Sequence, residues 1–154
     1  AELGVPVVLM HMQGTPQTMQ QNPRYADVAL DIFDALAARV AACETAGIPR
    51  ERIAVDPGFG FGKTPAHNMA LVNRLALFQG LGCPVLLGLS RKSTLAKLSR
   101  GEPPGERLPG SIAGAVAGAQ RGAQLLRVHD VAETAQALAV WHAAETLAIA
   151  ESAG

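Results

Sequence analysis

The sequence has little of what characterises several large classes of protein. It contains only two cysteines, Cys43 and Cys83, whose spacing fits neither a disulfide scaffold nor a metal site, so we predict a reducing, cytoplasmic location. No apolar run reaches the roughly 18 residues that a membrane span needs. The 13 basic and 13 acidic side chains balance, which leaves no excess positive charge for nucleic acid. We therefore expect neither a membrane nor a nucleic-acid partner.

Apolar runs instead alternate with helical patterns four times along the 154 residues. Buried strands are predicted at 5–10, 53–55, 84–89 and 125–128. Helices are predicted at about 24–46, 65–81, 111–120 and 131–150, with a short one at 94–98; Val131, Ala135, Leu138 and Leu147 of the last helix are expected to face inward. Strands that alternate with helices in this way indicate an α/β fold with a parallel sheet.

Four (β/α) units can form an open sheet or half of an eight-unit barrel of about 250 residues. Residues 1–4 look like the last turn of a helix that Gly4 ends, which favours the barrel. Polar clusters also follow all four strands at one edge, where a barrel places its active site. We therefore predict a single domain over residues 1–154, formed by four of the eight units of a TIM barrel, a half-barrel.

The segment from Asp56 to Lys63 is the most informative part of the sequence. Asp56 ends the second strand, Pro57 stops strand pairing, and three alternating glycines let the backbone approach a ligand closely. The end of the segment resembles a phosphate-binding P-loop, but Pro57 stands where that motif needs glycine. Asp56 could accept hydrogen bonds from an amide-like or guanidine-like heterocycle. The alternative is a structural aspartate that caps a tight turn.

Two further clusters suggest anion binding. The run Ser90-Arg91-Lys92-Ser93 offers two cations and two hydroxyls near a helix start, although it could also be a solvated basic turn. Arg127 and His129 are two residues apart on a strand and share one face, so they form a candidate phosphate clamp. The alternative for Arg127 is a structural pair with Asp130.

These clusters together indicate one kind of chemistry. An aspartate can bind a heterocycle edge, a lysine can meet its carbonyl or ring nitrogen, and an Arg–His pair can hold phosphate. No Ser–His–acid set or metal-ligand cluster is evident, and His11, Trp141 and His142 are expected to be structural. We therefore predict displacement of a phosphorylated leaving group, catalysed by positioning and charge stabilisation.

Four motifs in order resemble those of the dihydropteroate synthase family over nearly the whole chain. They run from Met10 to Pro16, from Asp56 to Lys63 with His67-Asn68 following, from Gly88 to Ser93, and from Arg127 to Val131. The resemblance implies a (β/α)8 barrel and a transferase of folate biosynthesis. Such an enzyme joins p-aminobenzoate to 6-hydroxymethyl-7,8-dihydropterin diphosphate, releases diphosphate and is the target of sulfonamide drugs.

The resemblance also implies roles for individual residues. Asp56 and Lys92 are the implied catalytic residues: Asp56 binds the amino-pyrimidine edge of the pterin, and Lys92 contacts both the pterin and the aminobenzoate pocket. Met10 and Gly88 pack on or beside the pterin ring, and Phe61 forms a wall of the aminobenzoate site.

The remaining implied contacts are to the charged groups of the substrates. Ser93 receives the aminobenzoate carboxylate, and Arg127 and His129 hold the diphosphate. The family's diphosphate leaves with magnesium, but the protein ligand of that Mg2+ belongs to the first half of the family's barrel, so we expect no metal ligand in this chain.

The resemblance covers the C-terminal half of the family's barrel, so we expect residues 1–154 to be inactive alone and the full-length enzyme to be a homodimer. Two alternatives remain at this stage. A pterin-binding methyltransferase domain has the same barrel and pterin-binding aspartate but no diphosphate to hold. A non-catalytic half-barrel fragment would at most bind pterin weakly.

Overall fold

The computed structural model describes the backbone of residues 1–152 and the side chains of residues 1–146. Strand β1 pairs in parallel with β2, and β3 pairs in parallel with β4. A parallel bridge from Val55 to Val85 joins the two pairs. The predicted α/β fold with parallel strands is thus confirmed, with strands β1 (Val7–Met10), β2 (Ile53–Asp56), β3 (Leu86–Leu87) and β4 (Leu125–Leu126) side by side in chain order.

Five α-helices follow or connect these strands. The first begins at an N-cap, because the carboxylate of Asp27 accepts hydrogen bonds from the backbone N–H groups of Ala29 and Leu30. Short 3-10 helices precede β2, at Arg50–Arg52, and the fourth α-helix, at Pro104–Glu106. The helices are α1 (Val28–Thr45), α2 (Pro65–Asn73), α3 (Ser93–Lys97), α4 (Leu108–Gln120) and α5 (Val131–Ser152).

The predicted continuous helix over 65–81 is wrong in its second half. Helix α2 ends at Asn73, and a 3-10 helix runs from Leu75 to Leu81. The buried residues of that segment are Leu75, Phe78 and Leu81, which are spaced by three. A 3-10 helix has three residues per turn, so this spacing aligns all three side chains on the core.

The core lies on one face of the sheet. Helix α4 approaches this face closely because Gly114 and Gly118 have no side chain. A Cβ at these two positions would lie 2.5 Å from Leu89 Cδ1 and 2.4 Å from Leu87 Cδ2. The same core contains the buried side chains of Ile32, Leu36, Ile53, Val55, Leu71, Leu75, Phe78 and Val85.

The opposite face of the sheet is open in the described part of the chain. Val8 of β1 is 51% exposed and Leu125 of β4 is 42% exposed. The prediction that the first strand is buried on both faces is therefore wrong, because no described element covers its second face. Strands β1 and β4 also have no strand on their outer sides among residues 1–152.

The two ends of the chain differ from their predicted forms. Residues 1–4 form a turn, in which Gly4 N donates to Ala1 O at 3.0 Å, rather than a helix end. Val131 and Ala135 of α5 are exposed and Leu138 is half-buried, so the predicted inward face of this helix is wrong at its first two positions. Leu147 lies outside the residues whose side chains are described.

Candidate active site

Four of the predicted site residues form a stepped row across the open face, at the carboxyl ends of the strands. Gly88 and Arg127 lie two residues further along their strands than the pair of Met10 and Asp56. Met10 and Asp56 are paired in register on β1 and β2. Gly88 alternates with the buried Leu87 and Leu89, so it faces the open side. Arg127 follows β4 on the same side, and its Cβ lies 3.7 Å from the position that a Cβ on Gly88 would take.

The glycine loop after β2 lies against the loop after β1. Gly58 has a φ of +74°, and a Cβ there would lie 1.8 Å from the backbone oxygen of His11. Only glycine fits this position. Every other residue has a Cβ that would collide with His11, and other residues rarely adopt a positive φ. The predicted close approach of the backbone is therefore present, but its partner here is the chain itself.

The side chains of Asn68 and Tyr25 hold the glycine loop in place. Asn68, fully buried on α2, accepts from Gly60 N at 2.8 Å and donates to Thr94 Oγ1 at 2.9 Å. Tyr25 donates its hydroxyl hydrogen to Gly62 O at 2.8 Å. The loop is thus connected to α2, to α3 and to the segment before α1.

Asp56 combines the two roles that the sequence left open. One carboxylate oxygen accepts from Gly58 N at 2.7 Å, which caps the turn. This is the only hydrogen bond of the Asp56 side chain in the described part of the chain, so its second oxygen is available to a ligand. Burial raises the pKa of Asp56, against the opposing effects of the Gly58 N–H and the charges of Lys92, Lys63 and Arg127.

Lys92 extends its ammonium group over the glycine loop. Its Nζ donates to Phe59 O and lies 4.3 Å from the centroid of the Phe61 ring, which is a cation–π contact. Burial lowers the pKa of Lys92 to about 8, although the charge of Asp56 acts in the opposite direction. Lys92 therefore lies beside Phe61 and within electrostatic reach of Asp56.

The loop Ser90–Ser93 is a structured connection, so its interpretation as a solvated basic turn is wrong. Arg91 binds both carboxylate oxygens of Asp130, and Arg91 N donates to Ser111 Oγ at 2.9 Å. Asp130 is thus occupied by Arg91, which also excludes the proposed Arg127–Asp130 pair. The Arg91 guanidinium lowers the pKa of Asp130.

Arg127 and His129 are both exposed beyond β4. Arg127 has no side-chain hydrogen bond or ion pair among the residues whose side chains are described, so its guanidinium is available to an anion. His129 Nδ1 lies 3.0 Å from Ser90 Oγ. Ser93, predicted to receive a carboxylate, is exposed as the first residue of α3.

A buried lysine in this site was missed by the sequence analysis. Lys63 is 3% exposed, and its Nζ donates to Phe61 O at 2.9 Å and lies 3.2 Å from His11 Nδ1. Burial is the main cause that lowers the pKa of Lys63 to about 7. Burial and the charges of Lys63 and Arg39 lower the pKa of His11 to about 4. The available signal was a lysine directly after three alternating glycines.

A family of proteins described as pterin-binding enzymes matches residues 1–129. The chain belongs to the pterin-binding enzyme family. The matched region includes the whole row of Met10, Asp56, Gly88 and Arg127, so the resemblance inferred from the motifs is confirmed.

Curated members of this pterin-binding family include bacterial dihydropteroate synthases. The chain is 49% identical to that of Escherichia coli K12 over 140 residues, which are 91% of this chain and 49% of the relative. It is 51% identical to that of Neisseria meningitidis serogroup B over 140 residues, which are 89% of this chain and 49% of the relative. The chain thus spans about half the length of the curated relatives it matches.

Solved structures of dihydropteroate synthases have a similar fold. The Yersinia pestis enzyme with a sulfonamide drug matches 96% of this chain and 53% of its own, with a TM-score of 0.92 and 44% identity. The Xanthomonas albilineans enzyme with 7,8-dihydropteroate matches 94% of this chain and 52% of its own, with a TM-score of 0.87 and 48% identity. A second Xanthomonas albilineans structure, with 4-aminobenzoic acid, has a TM-score of 0.87, 49% identity and coverage of 94% and 51%.

None of the helices in the described residues combines the length and the apolar character needed to cross a bilayer. Among the same residues, no three His, Cys, Asp or Glu side chains gather as a possible metal site. Magnesium stays a prediction.

Proposed function

We propose that the protein carrying this chain is a dihydropteroate synthase, a transferase that joins p-aminobenzoate to 6-hydroxymethyl-7,8-dihydropterin diphosphate and releases diphosphate. The observation that carries this proposal is the row of Met10, Asp56, Gly88 and Arg127 across the open face. One row offers an apolar contact, a carboxylate, a flat glycine surface and a cation. These groups suit an aromatic heterocycle that carries an anion at one end.

The pterin is proposed to lie along this row. The free carboxylate oxygen of Asp56 accepts from the N–H groups of the amino-pyrimidine edge, and the ring packs between Met10 and the backbone at Gly88. A buried carboxylate with few hydrogen bonds favours binding of a ligand that donates several, because each new hydrogen bond replaces one to water that was lost on folding. Lys92, whose positive charge interacts with the Asp56 carboxylate, contacts the ring from the side of the glycine loop.

The aminobenzoate is proposed to bind beside Phe61 and Lys92. The Phe61 ring forms one wall, with Lys92 Nζ already 4.3 Å from its centroid. Ser93, exposed at the start of α3, is proposed to receive the carboxylate. This arrangement directs the amino group of the arylamine toward the pterin rather than toward solvent.

The diphosphate is proposed to bind Arg127 and His129. In the reaction, the bond between the pterin methylene carbon and the diphosphate oxygen breaks with its electron pair on oxygen, and positive charge develops on the pterin. The amine nitrogen then bonds to the methylene carbon and loses a proton to solvent. Arg127 stabilises the leaving anion, and the Asp56 carboxylate stabilises the positive pterin, so both act most strongly in the transition state.

The remaining predictions concern the rest of the protein. We propose that these residues are the C-terminal half of a (β/α)8 barrel, that they are inactive alone, and that the full-length enzyme is a homodimer. The open face and the unpaired outer sides of β1 and β4 support this proposal. Two free cysteines support a cytoplasmic location. Magnesium is proposed only as a counterion of the diphosphate.

A pterin-binding methyltransferase domain is the second candidate. It shares the pterin-binding aspartate but has no diphosphate to hold. Among the residues whose side chains are described, Arg127 has no partner, and His129 follows two residues later. This favours the synthase, because a methyltransferase has no anion for such a cation to bind.

Calorimetric titration tests both candidates. We expect Asp56→Asn to weaken the binding of 6-hydroxymethyl-7,8-dihydropterin diphosphate by at least about tenfold, since it removes charge-assisted hydrogen bonds. Arg127→Ala should weaken binding of the diphosphate ester to a similar degree but leave the affinity for the same pterin without diphosphate unchanged. Arg100→Ala, whose side chain is 88% exposed in another loop, is the control.

The outcomes separate the candidates. Unchanged binding of the diphosphate ester in Arg127→Ala removes the anion assignment and favours the methyltransferase. A turnover assay with p-aminobenzoate, with and without an added N-terminal half, distinguishes an enzyme from a non-catalytic half-barrel.

A further inference from the structure

One buried hydroxyl, that of Ser90, makes its hydrogen bonds to His129. Ser90, in the loop between β3 and α3, is only 4% exposed. Its Oγ lies 3.2 Å from the backbone nitrogen of His129 and 3.0 Å from His129 Nδ1. These two nitrogens are its only hydrogen-bond partners in the part of the chain whose side chains are described.

The directions of these two hydrogen bonds follow from their chemistry. A backbone N–H can only donate, so Ser90 Oγ accepts from His129 N. The hydroxyl hydrogen of Ser90 then has one acceptor within reach, His129 Nδ1. If Nδ1 carried a proton, both nitrogens would donate to Oγ, and the buried hydroxyl hydrogen would have no acceptor, which folded proteins avoid.

We infer that Ser90 is a positioning residue that holds neutral His129 in the tautomer with its proton on Nε2. His129 is exposed and its Nδ1 edge is occupied by Ser90, so Nε2–H is the donor that remains for a ligand. A neutral imidazole in this tautomer still donates a hydrogen bond to an anion. The identification of the anion as diphosphate rests on the proposed function, whereas the tautomer of His129 is inferred from the hydrogen bonds of Ser90 alone.

The same contact joins two parts of the site. Ser90 is two residues before Lys92, and His129 is two residues after Arg127. The ion pair of Arg91 with Asp130 connects the same two loops one residue further along each. The lysine loop and the anion-binding residues are therefore held together by two adjacent contacts, and Ser90 is the one that acts on the histidine ring.

Nitrogen NMR of the histidine side chains tests the tautomer. We expect long-range 1H–15N spectra of the 15N-labelled chain, recorded at alkaline pH where imidazole rings are neutral, to show an unprotonated Nδ1 and a protonated Nε2 for His129. The signals are assigned by their loss in His129→Gln. In Ser90→Ala, the two nitrogen shifts should move toward each other as both tautomers become populated.

Two variants control this measurement. Ser90→Thr keeps the hydroxyl and should keep the wild-type shifts, whereas Ser93→Ala removes an exposed hydroxyl from the same loop and should also leave them unchanged. A proton on Nδ1 in the wild-type chain overturns the inference, and that result does not depend on the folding of any variant. Wild-type shifts in a folded Ser90→Ala overturn the role of the serine.

Titration with inorganic diphosphate measures the consequence for binding. We expect Ser90→Ala to lower the affinity about tenfold, equivalent to about 1.4 kcal/mol, and Ser90→Thr to retain it. Equal affinity of Ser90→Ala and wild type overturns the positioning role. If the wild-type chain binds no diphosphate, the anion assignment of the proposed function fails instead, because the NMR result is obtained without ligand.

Discussion

The two faces of the sheet are built from alternate residues of the same strands, yet they differ in almost every property. One face carries Ile53, Val55, Val85 and Leu87, all buried under helices. The other carries Val8 and Leu125, which are exposed, together with the polar row of the candidate site. Successive side chains along a strand point to opposite faces, so each short strand contributes residues both to the core and to the open face.

The covered face contributes mainly to the stability of the fold, and the open face mainly to ligand binding. The covered face is filled with apolar side chains whose burial supplies most of the folding energy. The open face has a carboxylate with one hydrogen bond and a guanidinium with none in the described residues. Groups left in this state contribute little to folding and retain their capacity for a ligand, so substitutions on the two faces should have different consequences.

The largest expected effect comes from breaking the backbone that supports the open face. Gly58→Ala places a Cβ where the oxygen of His11 lies, at a φ of +74°, so the two loops must separate. We expect the free energy of unfolding to fall by at least about 4 kcal/mol, or the chain not to fold. Urea denaturation followed by circular dichroism measures this.

Gly101→Ala is the matched control for Gly58→Ala. Gly101 has a φ of +84°, but a Cβ there meets no atom within 4 Å. Its cost should be that of the backbone conformation alone, about 1 to 2 kcal/mol. Equal costs at the two glycines would contradict the close approach of the two loops.

A smaller effect should distinguish the faces directly. Val55→Ala removes two methyl groups from a fully buried position on β2, and we expect a loss of about 2 to 3 kcal/mol. Val8→Ala makes the same change on the open face of β1, where the side chain is 51% exposed, and should cost less than about 1 kcal/mol. Denaturant unfolding of both variants gives the two values. A cost for Val8→Ala that approaches that of Val55→Ala would show that something covers the open face.

The sequence predicts one face of the molecule better than the other. The strands and the residues at their carboxyl ends could be predicted, because apolar runs mark strands and their ends share an edge in a parallel sheet. Asp56 and Arg127 follow from that rule, whereas Met10 and Gly88 were singled out by the family resemblance. The exposure of Val8 could not be predicted, since an apolar run looks the same whether its second face is covered or open.

Contacts between distant loops account for the other failures. Lys63 is buried, and its ammonium group contacts His11, which is 52 residues away in the sequence. Asp130 pairs with Arg91 rather than Arg127, although Arg127 is much nearer along the chain. Spacing in the sequence carries no information on which of two arginines a loop brings to a carboxylate.

The buried Lys63 should also make the stability of the protein depend on pH. In the unfolded chain this lysine has a pKa of 10.5, and in the folded protein burial lowers it to about 7. Between these values the unfolded chain binds more protons than the folded protein, so Lys63 makes the free energy of unfolding rise with pH. This contribution is complete above about pH 10.5 and is lost as the pH falls toward 7.

Lys63→Met removes this contribution. We expect the difference in unfolding free energy between wild type and Lys63→Met to increase by at least about 1 kcal/mol from pH 7 to pH 10, which corresponds to one pKa unit. Urea denaturation at several pH values measures it, and Lys97→Met, which removes an exposed lysine from α3, controls for the change in net charge. Parallel curves for wild type and Lys63→Met would mean that the ammonium group remains hydrated, and the glycine loop would then be open to water beneath the row that we propose as the pterin site.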